Sequence, residues 1–282
     1  MANPKFPKVS QRMNLQRFRA LVVQLHETQN TSSMVHLLTP GHGPLALWVK
    51  GLRRKGSEYR QSSLQPLNYL EVTAALHGDS DVATLRDVEL LVPWEPRRLD
   101  SNLPQLLPLA LGSLAVEVLH KSTENGQPIE EEFAALLQML ECIQTGDFVE
   151  EPHILLTIWL GMLQLLGYLP LIAPEVLRPW PAELPKPTHF LLHSENALVT
   201  LPPAGREGEA FHWPNLPIGS GEFLPLPPKG VRALYNAEKG EPLTAGVTLG
   251  ETLQMINALS RFLEYTLDLR FASRDFLESC FQ

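Results

Sequence analysis

Between residues 17 and 91, apolar side chains come in short runs broken by turn residues. Phe18–Leu25 and Ser33–Leu38 are separated by Glu27-Thr28-Gln29-Asn30-Thr31. The turn Pro40-Gly41-His42-Gly43-Pro44 leads into Leu45–Lys50, and Leu67–Leu76 and Asp81–Leu91 follow, parted by His77-Gly78-Asp79-Ser80. Five short strand candidates with Gly, Asn and Asp turns between them predict a small barrel. An OB-type barrel, whose strand face and loops bind oligonucleotides, and an SH3-like barrel both fit this pattern.

From Leu103 the period changes. Leu103, Leu106, Leu107, Leu111, Leu114 and Val118 recur at helical spacing,. A second helix is predicted from Pro128, with Glu130, Glu131 and Glu132 in its first turn, to Gly146,. The third, Pro152–Leu166, is apolar on nearly every side and reads as the centre of a bundle,. Residues 170–228 hold thirteen of the 25 prolines, which removes helical periodicity,. An irregular segment packed over the helices is expected there, with a possible hairpin of His189–Leu192 and Ala197–Leu201. Thr248-Leu249-Gly250-Glu251 has capping-box spacing and opens a long last helix,. The expected architecture is therefore α+β and multidomain. It comprises a five-stranded barrel over 1–98 and a helical domain over 99–282, interrupted by a Pro- and aromatic-rich insertion at about 171–245.

Charge sharpens that division. The formal charge is −8 overall, but residues 1–60 hold ten Lys/Arg against Glu27 and Glu58 alone, whereas residues 101–282 hold ten basic and 22 acidic side chains. A basic front and an acidic back predict different partners for the two domains. The densest positive run, Lys50-Gly51-Leu52-Arg53-Arg54-Lys55, follows directly on the apolar run Leu45–Val49. Such a loop offers charge and backbone N–H groups to a polyanion. Lys50, Arg53, Arg54 and Lys55 are the first candidates for phosphate contacts, with Arg17, Arg19 and Arg60 next. Lys5, Lys8 and Arg12 form a basic arm before the first strand. Trp48 and Tyr59 flank the loop and are placed to stack on bases, although the apolar setting of Trp48 also suits a core residue. Arg86, beside Asp87 and Glu89, suits a cross-strand ion pair as well as a phosphate.

No motif for hydrolysis, nucleotide binding or metalloprotease chemistry is present, so the chain reads as non-enzymatic. Gly41-His42-Gly43 and Gly219-Ser220-Gly221 read as turns. Two cysteines, Cys142 and Cys280, make neither a disulfide framework nor a CxxC half-site,. The polar, basic start has no secretory h-region and Ile154–Leu166 is too short to span a bilayer, so a cytoplasmic location away from membranes is expected.

Four local motifs in this order resemble the bacterial recombination mediator family RecO. They are Lys50-Gly51-Leu52-Arg53-Arg54 after the third strand, Leu64-Gln65-Pro66-Leu67 before the fourth, and Leu85-Arg86-Asp87-Val88-Glu89-Leu90-Leu91 in the closing strand. The fourth pairs Leu165-Leu166-Gly167-Tyr168-Leu169-Pro170 with the tail Phe262-Leu263-Glu264-Tyr265, Leu267, Ser273 and Phe276-Leu277. The resemblance implies an OB-fold and a nucleoid-associated protein that binds single- and double-stranded DNA and anneals complementary strands. It also implies cooperation with RecR in loading RecA, and a groove for the C-terminal tail of single-strand-binding protein (SSB). Many RecO proteins carry a four-cysteine zinc element after the equivalent of Leu165–Pro170. Here Leu171–Pro187 has no cysteine, and His189, His193 and His212 make no convincing ligand set, so a zinc-free protein without cofactors is expected,. The rival reading is a protein-interaction scaffold whose OB or SH3-like barrel binds a partner protein rather than DNA.

Overall fold

The structure, a computed structural model, describes residues 14–28, 32–52, 56–76, 82–100, 102–172, 188–192, 197–201, 223–241, 243 and 246–281. Contacts divide the chain into two compact units. One comprises Met1–Trp94 with Thr123–Phe133, the other Glu95–Ser122 with Ala134–Gln282. The sequence reading has one boundary near residue 98. In the structure the chain returns to the first unit after leaving it, and backbone hydrogen bonds explain the return. Gly126 N donates to His42 O at 2.9 Å and Ile129 N to Pro40 O at 2.8 Å.

In the first unit, β1 (Asn14–Glu27), β2 (Ser33–Thr39), β3 (Gly43–Val49), β4 (Tyr69–Leu76) and β5 (Val82–Val92) form a closed barrel in the order β1-β2-β3-β5-β4. Every pairing is antiparallel except β3 with β5, which runs parallel over Ala46–Trp48 and Val82–Thr84. This is the OB arrangement, and it decides against the SH3-like alternative. Period-two alternation fills the barrel: Ala20, Val22, Val35, Leu37, Leu47, Val49, Leu70, Val72, Ala74, Ala83 and Leu85 share one buried core,. Leu52 and Leu64, on either side of α1 (Glu58–Ser63), join the same core. That short helix, between β3 and β4, was not visible in the hydrophobic pattern, because six residues give too few turns for a period to register.

The β2–β3 turn depends on Gly43. Its φ is +61°, and a Cβ there would lie 2.7 Å from Gln127 O and 2.9 Å from Glu124 O. Both the backbone conformation and the approach of the returning segment exclude a side chain. At the β4 entry, Leu67 is buried at φ +68°, with its N–H donating to Val22 O at 2.8 Å. Buried Asn68 joins α1 to the end of β5. Its Nδ2 donates to Ser62 O and Ser63 O, and its Oδ1 accepts from Trp94 N at 2.8 Å.

The second unit holds α2 (Leu107–Lys121), most of α3 (Glu130–Thr145), α4 (Asp147–Glu150), α5 (Pro152–Leu165), α6 (Pro228–Glu238), α7 (Leu249–Leu267) and α8 (Ala272–Ser279). Helix α5 packs on α4, α6 and α7 and buries Leu155, Leu156, Trp159, Leu160, Met162 and Leu163. The capping box at Thr248 is present. Thr248 Oγ1 accepts from Glu251 N at 3.2 Å, and Glu251 Oε2 accepts from Thr248 N at 2.8 Å. Helix α8 is held by Glu117 of α2, whose carboxylate accepts from Ala272 N at 3.1 Å and Ser273 N at 2.8 Å.

The Pro-rich segment is more regular than the sequence pattern suggests. Strands β6 (Leu171–Ile172), β7 (Thr188–Leu192), β8 (Ala197–Leu201) and β9 (Phe223–Leu226) pair in the order β6-β8-β7-β9, so the expected β7–β8 hairpin sits within a four-stranded sheet. Proline is tolerated because it falls where no ladder donor is needed: Pro225 lies in the edge strand β9, and Pro228 opens α6,. Gly230 lets α6 approach α7, since a Cβ there would overlap the Met255 sulfur.

Candidate nucleic-acid interface

The basic loop leaves and re-enters the barrel at fixed points. Val49 is buried at the end of β3 and Lys50 is exposed beyond it. Leu52 turns back into the core, and its carbonyl accepts from the Ser57 hydroxyl. Gly56 N donates to Glu58 Oε1 at 3.2 Å, and backbone N–H groups of Glu58 and Gly56 hold the Glu58 carboxyl below its ordinary value. Arg53, Arg54 and Lys55 lie outside the described residues, as do Lys5, Lys8 and Arg12.

Helix α1 supplies the next candidates. The C-terminal half of β5 pairs with β4 only, which leaves its other edge open. Arg60 Nη2 donates to Arg86 O at 3.2 Å, and Tyr59 OH accepts from Leu90 N at 3.2 Å, so both side chains cover that edge. Tyr59 is still 58% exposed, enough for its ring to meet a base. Among the described residues the Arg60 guanidinium makes one bond to protein, through one of its five N–H groups, which fixes it on the β5 edge,.

Arg17 and Arg19 lie on a different face. The outer side of β1, β4 and β5 sets Arg19 opposite Glu71 and Glu89, and Arg17 opposite Thr73 and Asp87. Arg17 Nε donates to Glu71 Oε1 at 2.6 Å, its Nη2 also bonds Glu71, and Glu89 lies 3.5 Å away. The hydrogen bond to Glu71 is the main cause of a raised Arg17 pKa. Two arginines meet three carboxylates here, so a phosphate would have to displace existing ion pairs. Arg86 sits at the irregularity of β5 between Leu85 and Asp87, exposed and with its carbonyl taken by Arg60.

The outer side of β1, β2 and β3 carries a different set. Register brings His26 beside Met34 and Trp48, and Gln24 beside His36 and Ala46. Leu47 and Val49 point into the core, so Trp48 is a partly exposed residue of the outer face and not a core residue. The His26 and His36 rings meet edge to face with centroids 5.2 Å apart. Burial, and then the charge of His26, lower the His36 pKa. Among the described residues no Asp or Glu projects from these two rows. Sequence reasoning missed this face because the strand register, set by the Gly43 turn, decides which residues share it.

At the start of the second unit, Arg97 N donates to Gln144 O at 2.8 Å and Arg97 Nη1 lies 3.9 Å from Glu150, so Arg97 is held structurally beside Arg98. Among the described residues, no three His, Cys, Asp or Glu side chains come close enough to hold a metal ion. His193, His212 and residues 173–187 lie outside the described residues, and nothing is described of the His189 side chain. Among the described residues no helix is long and apolar enough to cross a membrane.

Comparison with known proteins agrees with both units. The model for the recombination protein O N-terminal domain matches residues 13–94 and that for its C-terminal domain residues 103–174. DNA repair protein RecO of Actinobacillus pleuropneumoniae serotype 3 (strain JL03) is 34% identical over 151 residues, which cover 53% of this chain and 58% of that protein. DNA repair protein RecO of Laribacter hongkongensis (strain HLHK9) is 29% identical over 154 residues, covering 54% and 58%. The chain thus spans just over half the length of the curated relatives it matches. A solved structure, Entamoeba histolytica asparaginyl-tRNA synthetase, shows only a TM-score of 0.25 at 14% identity over 40% of this chain and 32% of its own, too slight to carry an argument. With an OB barrel matched by the first domain model, helices matched by the second, and the two together spanning more than half of its length, the chain belongs to the RecO family.

Proposed function

We propose that this protein serves DNA repair and homologous recombination without catalysing a reaction. It binds single- and double-stranded DNA through the barrel, in the cytoplasm and on the nucleoid. The supporting observation is the placement of charge. Arg17 of the β1–β4–β5 face is paired with Glu71 and lies close to Glu89, whereas Lys50 stands exposed at the head of a run that continues in sequence as Arg53-Arg54-Lys55. Clustered cations neutralise phosphates and release counterions. A loop that neutralises two strands at once lowers their mutual repulsion, and annealing of complementary strands follows without nucleotide hydrolysis. In this reading the protein works with RecR to load RecA onto SSB-coated DNA, and needs neither zinc nor another cofactor.

The acidic C-terminal tail of SSB is assigned to a cleft of about 260 Å³ in the second unit. Its walls carry Lys229 and Arg232, with Ala233, Leu243 and Val247 as apolar surface. Lys229 is engaged by Gly246 O and lies 3.5 Å from Glu251, so exposed Arg232 carries the recognition.

The test is binding of a fluorescent mixed-sequence single strand at two salt concentrations, for the wild type and for the Arg53→Ala, Arg54→Ala, Lys55→Ala triple variant. Tight, salt-sensitive binding that collapses in the variant supports the reading. Absent binding at low salt overturns it in favour of a protein-interaction scaffold.

A further inference from the structure

We infer that Glu251 is a built-in competitor for the acidic ligand of the α6 cleft. Its carboxylate faces Lys229, so an incoming acid must exchange with it before both cations of the cleft are available. The inference rests on the assignment of this cleft to the acidic tail of SSB, and adds the residue that sets how strongly and how selectively the cleft takes acidic chain. On α6, Lys229, Arg232 and Asn236 follow one another at helical spacing, and Leu243, Gly246 and Val247 complete the lining,. Arg232 is exposed there. Lys229, one turn earlier, is already in use: its ammonium donates to Gly246 O and lies 3.5 Å from Glu251 Oε2. An internal carboxylate thus faces the cation that a second acid of the ligand needs.

The capping box at the start of α7 aims Glu251. Its Oε2 accepts from Thr248 N at 2.8 Å and from Thr248 Oγ1 at 3.0 Å. The same oxygen faces Lys229, so one atom answers three donors. The cap bonds are short and local, whereas 3.5 Å is longer than the roughly 2.7–2.9 Å of a charge-assisted N–H···O bond,. Glu251 therefore keeps its cap when Lys229 turns away, and a ligand carboxylate that reaches bonding distance wins the exchange. The Lys229 side chain is 54% exposed, which leaves the ammonium room to turn. The N–H and hydroxyl of Thr248, and then the charge of Lys229, hold the Glu251 carboxyl below its ordinary value, so the competitor is charged at neutral pH. Selectivity follows. A ligand with one acid is served by Arg232 and leaves the Lys229–Glu251 pair in place. A ligand with neighbouring acids brings its second charge up against Glu251 and has to displace it.

The experiment measures, by fluorescence anisotropy, the affinity of the full chain for a labelled peptide of the acidic SSB tail. A second peptide has its acidic side chains replaced by their amides and keeps its terminal carboxylate. In Glu251→Gln the glutamine retains the N3 place of the capping box. Affinity of this variant for the acidic peptide should rise about threefold, the worth of an exposed ion pair, while affinity for the amide peptide stays level. Lys229→Met in the same chain should remove most of that gain. Arg232→Ala alone should cost more affinity than Lys229→Met alone, because the charge of Lys229 is already partly spent, and this comparison is readable whether or not Glu251→Gln folds. Unchanged affinity in Glu251→Gln overturns the inference. So does an equal rise for the amide peptide, a gain undiminished beside Lys229→Met, or a loss from Lys229→Met as large as that from Arg232→Ala. If the wild type binds the acidic peptide and Arg232→Ala loses it while Glu251→Gln changes nothing, the competitor fails and the cleft assignment stands. If the wild type does not bind it, or Arg232→Ala binds it equally well, both fail.

Discussion

Two faces of one barrel make opposite use of charge. On β1–β4–β5, Arg17 and Arg19 stand in register among Glu71, Asp87 and Glu89, and Arg17 is bonded to Glu71 with Glu89 3.5 Å away. On β1–β2–β3 there are fewer charges, but none of those described on the histidine rows is a carboxylate, and the face runs out at Lys50. The count of basic residues along a chain is therefore a poor guide to where a polyanion sits. What matters is whether the fold places a carboxylate within reach of each cation, because an arginine already bonded to glutamate gains little by exchanging it for phosphate.

The most severe way to break the comparison is to remove the turn that sets the register of the histidine face. Gly43→Ala forces a side chain onto a φ of +61° and into two backbone carbonyls. A loss of about 3 kcal/mol or more is expected, measured by denaturant unfolding. Charge reversal on the intact barrel comes next. Met34→Glu should weaken single-strand binding by about tenfold, a modest share of what like-charge juxtaposition costs. Thr73→Glu, on the face that already holds three carboxylates, should change affinity by less than about twofold, because an exposed charge away from the phosphates is screened by salt. Equal losses from the two would erase the distinction between the faces.

A gain of affinity sharpens the comparison further. Glu71→Gln with Glu89→Gln frees Arg17, and its phosphate contacts should steepen the salt dependence by about 0.7. Stability should change little, since the ion pair is exposed,. A change in slope of the same size is expected at Arg60. Arg60→Ala uncovers Arg86 O on the open edge of β5 and should cost about 1 kcal/mol together with one unit of charge in the salt slope,. Arg60→Lys should recover most of the slope, and whether it also recovers stability separates edge cover from phosphate contact.

The second unit offers a pH reference away from the barrel. Burial raises the Glu117 pKa, but hydrogen bonds from Lys121 and Ser273 outweigh it and the net shift is downward. A carboxylate with a lowered folded pKa stabilises the fold above its unfolded value of about 4.5, and that contribution is lost as pH falls through the folded value. Glu117→Gln should therefore lower the melting temperature at neutral pH and flatten its acid dependence. Cys142, whose pKa burial and then Asp147 push up to about 11, should react slowly with alkylating reagents at neutral pH,.

Much of this protein was legible in its sequence wherever the physics is local. Alternation announced the five strands, because a strand with one buried face must repeat every two residues. Helical spacing announced α2, α3, α5 and α7, and Thr248 with Glu251 marked a cap that needs only neighbouring residues to form. The asymmetry of charge and the basic run after β3 were likewise properties of the chain itself. The tertiary structure decided what depends on distant partners. It made a short helix of Glu58–Ser63 by burying Leu64 and lodging Tyr59 and Arg60 on the β5 edge. It made a sheet of proline-rich segments by placing Pro225 in an edge strand. Above all it sorted the cations. Arg17 is 54 positions from Glu71 in sequence, and no local pattern pairs them. Register across β1 and β4 brought them into contact, and register across β1, β2 and β3 gathered His26, His36, Met34 and Trp48. Periodicity tells which side of its own strand a residue takes, while the pairing of strands tells whom it meets there.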